Sequence, residues 1–186
     1  MHVADLGANT GFFTLRAVDR LRAAAGGPAN VTITAVEGNP ECVRTFKARV
    51  CDENGLSGCV RIVHGLVGRR SGPGILHTDP TQPASSTVIA PGGRGGRGLA
   101  VSYVDLSAVF ASTPVIHLLK CDIEGAEEVF LETYPDVLAK VRLAVFEFHR
   151  TLCDVDRCLA LLRTYGFTHQ VIYRDRPQNF TCGVWR

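Results

Sequence analysis

Asp5-Leu6-Gly7-Ala8-Asn9-Thr10-Gly11 decides how this chain folds. An apolar strand signal, His2-Val3-Ala4, runs straight into an acidic residue and a turn of small residues, and a helical pattern starts at Phe12. Glycine at 7 and 11 lets the backbone turn sharply and approach a ligand closely, because neither position carries a Cβ. The helix that opens there points its free N–H groups back at the same spot. A strand, a glycine turn and a helix N-terminus together make a pocket of the nucleotide-binding type.

Working outward, the same alternation recurs. Phe13, Ala17, Val18, Leu21 and Ala25 follow helical spacing until Gly26-Gly27-Pro28 stops them. Val31 to Val36 is rich in β-branched residues and reads as a second strand. Asn39 is a good N-cap and Pro40 a good first helical residue, and Val43, Phe46 and Val50 mark the buried face of the helix that follows. Val60 to Val63 is a third strand, Val115 to Cys121 a fourth and Leu143 to Phe148 a fifth. Gly125 to about Leu131 can be helical, with Tyr134-Pro135 interrupting it, and Asp154 to Tyr165 is an amphipathic helix closed by Gly166. Gln170 to Tyr173 and Thr181 to Trp185 read as a terminal, antiparallel strand pair. Strands alternating with helices predict βαβ units and a parallel sheet.

The 186 residues suit one domain, 1–186. With 46% hydrophobic and 20% charged residues the chain can bury a sizeable core. A net charge of +2 is too small to make nucleic acid or an anionic membrane the expected partner. No apolar run approaches the roughly 20 residues a membrane span needs, and no secretory leader is visible. The seven cysteines form no Cys-x-x-Cys pair, so a zinc ribbon is not expected; buried reduced thiols and a cytoplasmic location are. The stretch 68–98 holds 8 of the 19 glycines and 4 of the 9 prolines, a composition that predicts a long mobile loop or an active-site lid. Within it Arg94-Gly95-Gly96-Arg97 has too few arginines and no interleaved aromatics for an RNA-binding segment.

A nicotinamide-binding turn requires Gly-x-Gly-x-x-Gly, and here Asn9 and Phe12 stand at two of the three glycine positions. A P-loop fails as well, since no Gly-Lys-Ser/Thr follows. The pattern is instead acidic-x-Gly-x-x-x-Gly, with Glu37 at the end of the next strand. In a parallel sheet both strand ends lie on the ligand edge. Glu37 can accept hydrogen bonds from two ribose hydroxyls there, and Asp5 can act on a cationic amine or through water. Two carboxylates without a basic phosphate clamp suit a cationic nucleoside, and S-adenosylmethionine is one. Alternatively, Asp5 and Glu37 only cap turns.

The chain resembles the FkbM-type family of class I S-adenosylmethionine-dependent methyltransferases. Three blocks carry the likeness: Asp5 through Leu15, which is similar to the family's cofactor loop; Leu118-Leu119-Lys120-Cys121-Asp122-Ile123-Glu124-Gly125-Ala126-Glu127, its more specific second signature; and Glu147-Phe148-His149, which closes the next strand. Val36-Glu37-Gly38-Asn39-Pro40 fits too. The resemblance implies an α/β, Rossmann-like fold with a mostly parallel seven-stranded sheet, its last strand antiparallel, and helices on both faces. It also implies methyl transfer from S-adenosyl-L-methionine, usually to oxygen. The expected cofactor contacts are Asp5, Gly7, Ala8, Asn9, Gly11, Phe12, Glu37, Gly38, Asn39, His64, Gly65 and Asp122. The chain begins almost on the first strand, without the preceding helix such folds usually carry, which points to a segment upstream.

An alcohol is a poor nucleophile until it loses its proton, so methyl transfer to oxygen gains from a positioned base. Asp122 and Glu124 close one strand and Glu147 and His149 its neighbour; residues two apart on a strand share a face, so four polar groups are expected to converge. His149 is the preferred base, since its ordinary pKa lies near neutrality, with Asp122 the alternative. Glu124 either contacts the acceptor or favours the N-terminus of the helix near Gly125. The spacing of Asp122, Glu124 and His149 is not diagnostic of a metal, and none is expected. The sequence therefore predicts an O-methyltransferase acting on a hydroxylated small molecule such as a sugar. A non-catalytic binding module of the same fold and a nicotinamide-dependent oxidoreductase are the alternatives.

Overall fold

Strand β1 (His2–Leu6) is apolar at both parities, as a strand covered on both faces must be. Val3 packs among Val18, Ile33, Ala35 and Phe46 on one side of the sheet. Ala4 and Leu6 pack on the other, among Leu106, Phe130 and Tyr134. The computed structural model describes residues 1–24, 30–79, 82–87 and 97–186.

The chain leaves β1 through the glycine turn into α1 (Phe12–Ala24), then forms β2 (Thr32–Glu37), α2 (Pro40–Thr45) and β3 (Val60–His64). Asn39 caps α2: its side chain accepts the Glu41 N–H at 2.9 Å, and Pro40 opens the first turn, as expected. The helix runs on with π-helical spacing over Phe46–Asp52, which buries Phe46, Val50 and Cys51 against the sheet. After Ser102 come α3 (Leu106–Val109), β7 (Ile116–Cys121), α4 (Glu127–Thr133), α5 (Pro135–Leu138) and β8 (Val141–His149). Helix α6 (Val155–Thr164), β9 (His169–Asp175) and β10 (Asn179–Trp185) complete the chain.

The main sheet has seven strands in the order β3-β2-β1-β7-β8-β10-β9. The β1, β2, β3, β7 and β8 pairings are parallel, and the last strand, β10, runs antiparallel to both its neighbours. Helices α1 and α2 cover one face; α3 to α6 cover the other. The order reverses between β1 and β7, and in open α/β sheets that switch point is where the carboxyl ends of strands leave a crevice. The register aligns Leu6 with both Val36 and Cys121. Residues 7, 37 and 122 therefore emerge side by side at one edge.

The stretch 68–98 is where the structure departs from expectation. It carries β4 (Pro73–Asp79), β5 (Gln82–Thr87) and the start of β6 (Arg97–Ser102), paired antiparallel in the order β5-β4-β6. A separate small sheet takes up about half of the predicted loop. Leu66, Leu76 and Val101 form its own buried cluster, with Tyr103 packed against it. Alternating Ile75-Leu76-His77 and Leu99-Ala100-Val101 are strand signals that the surrounding glycines and prolines mask by composition. Arg94, Gly95 and Gly96 lie outside the described residues. All seven cysteines are free thiols, six of them buried. Among the described residues no helix is long and apolar enough to cross a membrane.

Candidate functional site

The glycine turn is locked by its neighbours. Gly7 has φ +71°, and a Cβ there would lie 1.8 Å from the Asp122 carbonyl oxygen. Gly11 has φ +84°, and its Cβ would strike the Phe46 ring at 2.4 Å. Both glycines therefore serve close approach of protein to protein, a need that the sequence did not reveal beside the expected approach to a ligand. Asn9 adopts φ 52° between them. The Gly7 and Ala8 N–H groups both donate to the Val36 carbonyl, at 3.0 and 3.1 Å, and tie the turn to β2.

Glu37, at the tip of β2, closes the arrangement. Its carboxylate accepts the Asn9 N–H on Oε2 and the Asn39 N–H on Oε1, both at 2.7 Å. Burial pushes its pKa up, against the pull of those two hydrogen bonds. Each carboxylate oxygen retains acceptor capacity beyond its one backbone hydrogen bond, and Glu37 lines a cavity. That cavity, about 410 Å³, opens over the carboxyl edge of β1, β2 and β7. Gly7, Ala8, Asn9, Phe12, Glu37, Gly38, Gly65, Asp122 and Glu124 of the expected residues line it. Asp5, Gly11, Asn39, His64 and His149 do not.

Asp5 lies beneath the turn and is fully buried. Its Oδ2 accepts the Thr14 hydroxyl at 2.7 Å, and Oδ1 sits 3.6 Å from the Lys120 ammonium. Burial raises its pKa, and Lys120 and Thr14 oppose the rise. Sequence reasoning passed over Lys120, although one cation inside the apolar run Ile116–Cys121 was a signal. Its ammonium donates to the Gly7 carbonyl at 2.6 Å and lies 3.6 Å from Asp122 Oδ2. Lys120 thus holds the turn, Asp5 and Asp122 together from below. Cys42, Leu66 and Leu76 also line the cavity unannounced by the sequence, Leu76 reaching it from the small sheet. His64 lies to the side, with Nε2 3.0 Å from the Gly38 carbonyl oxygen.

A second cluster stands at the opposite end of the cavity. Strand β7 stops at Cys121, so Asp122, Ile123 and Glu124 form a turn and not the strand face that the sequence predicted. Glu124 has φ 53° and Gly125 φ 102°. Glu127 is fully buried, and it organises this turn. Its Oε1 accepts the Ile123 and Gly125 N–H groups, each at 3.2 Å, and lies 3.0 Å from His149 Nδ1. His149 Nε2 is 3.2 Å from Glu124 Oε2 and 3.9 Å from Asp122 Oδ1. Burial alone would lower the imidazole's pKa. The hydrogen bond to Glu127 and the charges of Glu127, Glu124 and Asp122 outweigh burial and lift it to about 9. Burial raises the Glu124 pKa, and His149 opposes it. Glu147 turns away to accept the Asn179 side-chain N–H at 2.6 Å. Helix α4 begins only at Glu127, with Ala126 at its cap position, so Glu124 lies two residues ahead of the cap. Asp122, Glu127 and His149 each present one ligand-type atom, all within 4.8 Å of one another.

The family model for the methyltransferase FkbM domain matches residues 5–168. No curated protein matches the chain. Among solved structures, a methyltransferase FkbM from Methylobacillus flagellatus KT superposes with a TM-score of 0.63 at 11% identity. The match covers 99% of this chain and 43% of that one, so the chain spans less than half of that protein's length. The N-terminal domain of EvdMO1, solved in the presence of SAH and D-fucose, gives 0.58 at 13% identity over 100% of this chain and 76% of that one. A precorrin-6y C5,15-methyltransferase from Geobacter metallireducens GS-15 gives 0.53 at 13% identity, covering 100% and 79%. At these identities the likeness concerns the fold.

Proposed function

Because the chain belongs to the FkbM methyltransferase domain family, we propose that it transfers a methyl group from S-adenosylmethionine to a hydroxyl of a small acceptor, with a sugar as the favoured class. The observation that carries this is the Glu37 carboxylate, held at the cavity wall by two backbone N–H groups and facing the glycine turn. It is built to receive two vicinal ribose hydroxyls. Lys120 is the one basic side chain among the described residues that line the cavity, and it is bound down onto the Gly7 carbonyl. That leaves no clamp for a pyrophosphate and an acidic lining for a sulfonium and an ammonium. The SAH in the EvdMO1 domain supports the same cofactor.

In this reading Gly7, Ala8 and Asn9 lie along the amino-acid part of the cofactor, while Gly38, Gly65 and Leu66 border the base. The methyl then points to Asp122 and Glu124. The base role passes from His149 to Glu124, because Glu124 lines the cavity while His149 stands behind it with both ring nitrogens facing carboxylates. Asp122 orients the acceptor. The acceptor oxygen displaces the thioether in line, and alignment of the two supplies much of the rate.

Calorimetry with S-adenosylhomocysteine tests the cofactor. Micromolar binding is expected, and a folded protein that shows none at millimolar ligand overturns the proposal. Glu124→Gln should lower turnover about 100-fold or more while leaving S-adenosylhomocysteine affinity within a few-fold of the parent.

A further inference from the structure

We propose that Asp122, Glu127 and His149 form a binding site for a divalent cation of the Mg²⁺ or Mn²⁺ type at the acceptor end of the cavity. Their ligand atoms already lie within 4.8 Å of one another, on three different segments: the turn after β7, the first residue of α4 and the end of β8. A second observation points to a ligand independently. Glu127 is wholly buried, yet its Oε2 has no hydrogen-bond partner among the described residues, although Oε1 accepts three. A buried carboxylate oxygen without a hydrogen-bond partner is costly, and a cation bound by Glu127 would offset that cost.

Charge leads to the same place. Asp122, Glu124 and Glu127 surround a single imidazole. The nearest other cation, Lys120, is shared between Asp122, Asp5 and the Gly7 carbonyl. Two carboxylates, one imidazole and no thiolate suit a hard to borderline ion. The site is also open on the side that matters, since Asp122 lines the cavity and keeps a side-chain exposure of 32%. Coordination positions left there would take water or the acceptor hydroxyl.

The inference rests on the proposed methyl transfer for its chemistry but not for its geometry. The acceptor oxygen binds the cation, which acidifies its O–H. The proton passes to the Glu124 carboxylate. The oxygen lone pair then forms the new C–O bond as the methyl–sulfur bond breaks, leaving a methyl ether and neutral S-adenosylhomocysteine.

The test is a titration of Mn²⁺ into the full chain after removal of metals with a chelator, following the free Mn²⁺ signal by electron paramagnetic resonance. One Mn²⁺ per chain is expected. His149→Ala and Asp122→Asn should weaken binding about 10–100-fold, and Glu127→Gln by at least as much. Glu53→Gln, on the exposed end of the helix after α2, should bind like the parent. Should Glu127→Gln fail to fold, His149→Ala, whose side chain is 15% exposed, and Asp122→Asn decide the matter. A folded parent that leaves millimolar Mn²⁺ free overturns the site, as does full-strength binding by both of those variants. Mn²⁺ binding without S-adenosylhomocysteine binding defeats the cofactor proposal and leaves the metal site standing; the reverse result defeats the metal site alone.

Discussion

At the scale of single residues, Gly7 carries more of the architecture than its size suggests. Its positive φ and the 1.8 Å approach of the Asp122 carbonyl leave no space for a methyl group. Gly7→Ala should therefore destabilise the fold by about 3 kcal/mol or more and weaken S-adenosylhomocysteine binding, both read from urea denaturation with and without the ligand. The sequence announced this glycine correctly but for half the reason: a turn was legible, the strand end it presses against was not. Glu37 was legible as the carboxylate that ends a buried strand, and it accepts two turn N–H groups as the capping alternative foresaw. Lys120 and Glu127 were not singled out, because a charge inside a strand and an acid at a helix start both have ordinary explanations in one dimension. Only packing shows Glu127 fully buried and turned back on His149. The exposed ion pairs, such as Lys47 with Asp52 and Arg49 with Glu53, add little at their exposures.

At the scale of elements, the βα units of the main sheet followed from hydrophobic periodicity, with boundaries displaced by a residue or two. The small sheet of β4, β5 and β6 did not. Its central pairing joins Pro73 to Ser102 and Thr78 to Arg97, so it depends on contacts far apart in the chain, and short strands flanked by glycine leave weak local signals. The sheet matters to the site through Leu76, which is buried and walls the cavity. A Cβ at Gly38 would also meet Leu66 at 2.7 Å, so the loop after β2 and this sheet are fitted together. Leu76→Ala should lower stability by about 2 kcal/mol, at the small end for such truncations because its cluster is small. It should also loosen S-adenosylhomocysteine binding several-fold; calorimetry and thermal melting together check both parts.

At the scale of the whole molecule, Tyr134 ties distant segments. It is fully buried, and its hydroxyl is shared between the Arg69 carbonyl at 2.9 Å and the Val104 carbonyl at 3.0 Å. Those carbonyls flank the small sheet in the chain, so one side chain anchors both of its ends to the layer of α4 and α5. Tyr134→Phe keeps the ring and loses the donor; a drop of about 1 kcal/mol in unfolding free energy is expected from urea midpoints. The parallel sheet followed from the alternation of elements and its seven strands from the family resemblance; the strand order itself came from the structure, and it brings residues 7, 37 and 122 together. How Asp122, Glu124 and His149 face one another did not follow, since a left-handed Glu124 is a local choice that no periodicity encodes. The seam between Gly7 and Asp122 has one more consequence. The Asp122 N–H donates to the Leu6 carbonyl at 3.1 Å while the Asp122 carbonyl packs against Gly7, so a hydrogen bond and a close contact meet at this point. Two ligands seated on either side of this seam share a coupling free energy that is equal whichever binds first. The factor by which S-adenosylhomocysteine changes the Mn²⁺ dissociation constant should match the factor by which Mn²⁺ changes that of S-adenosylhomocysteine, and both should approach unity in a variant whose seam has been pried apart.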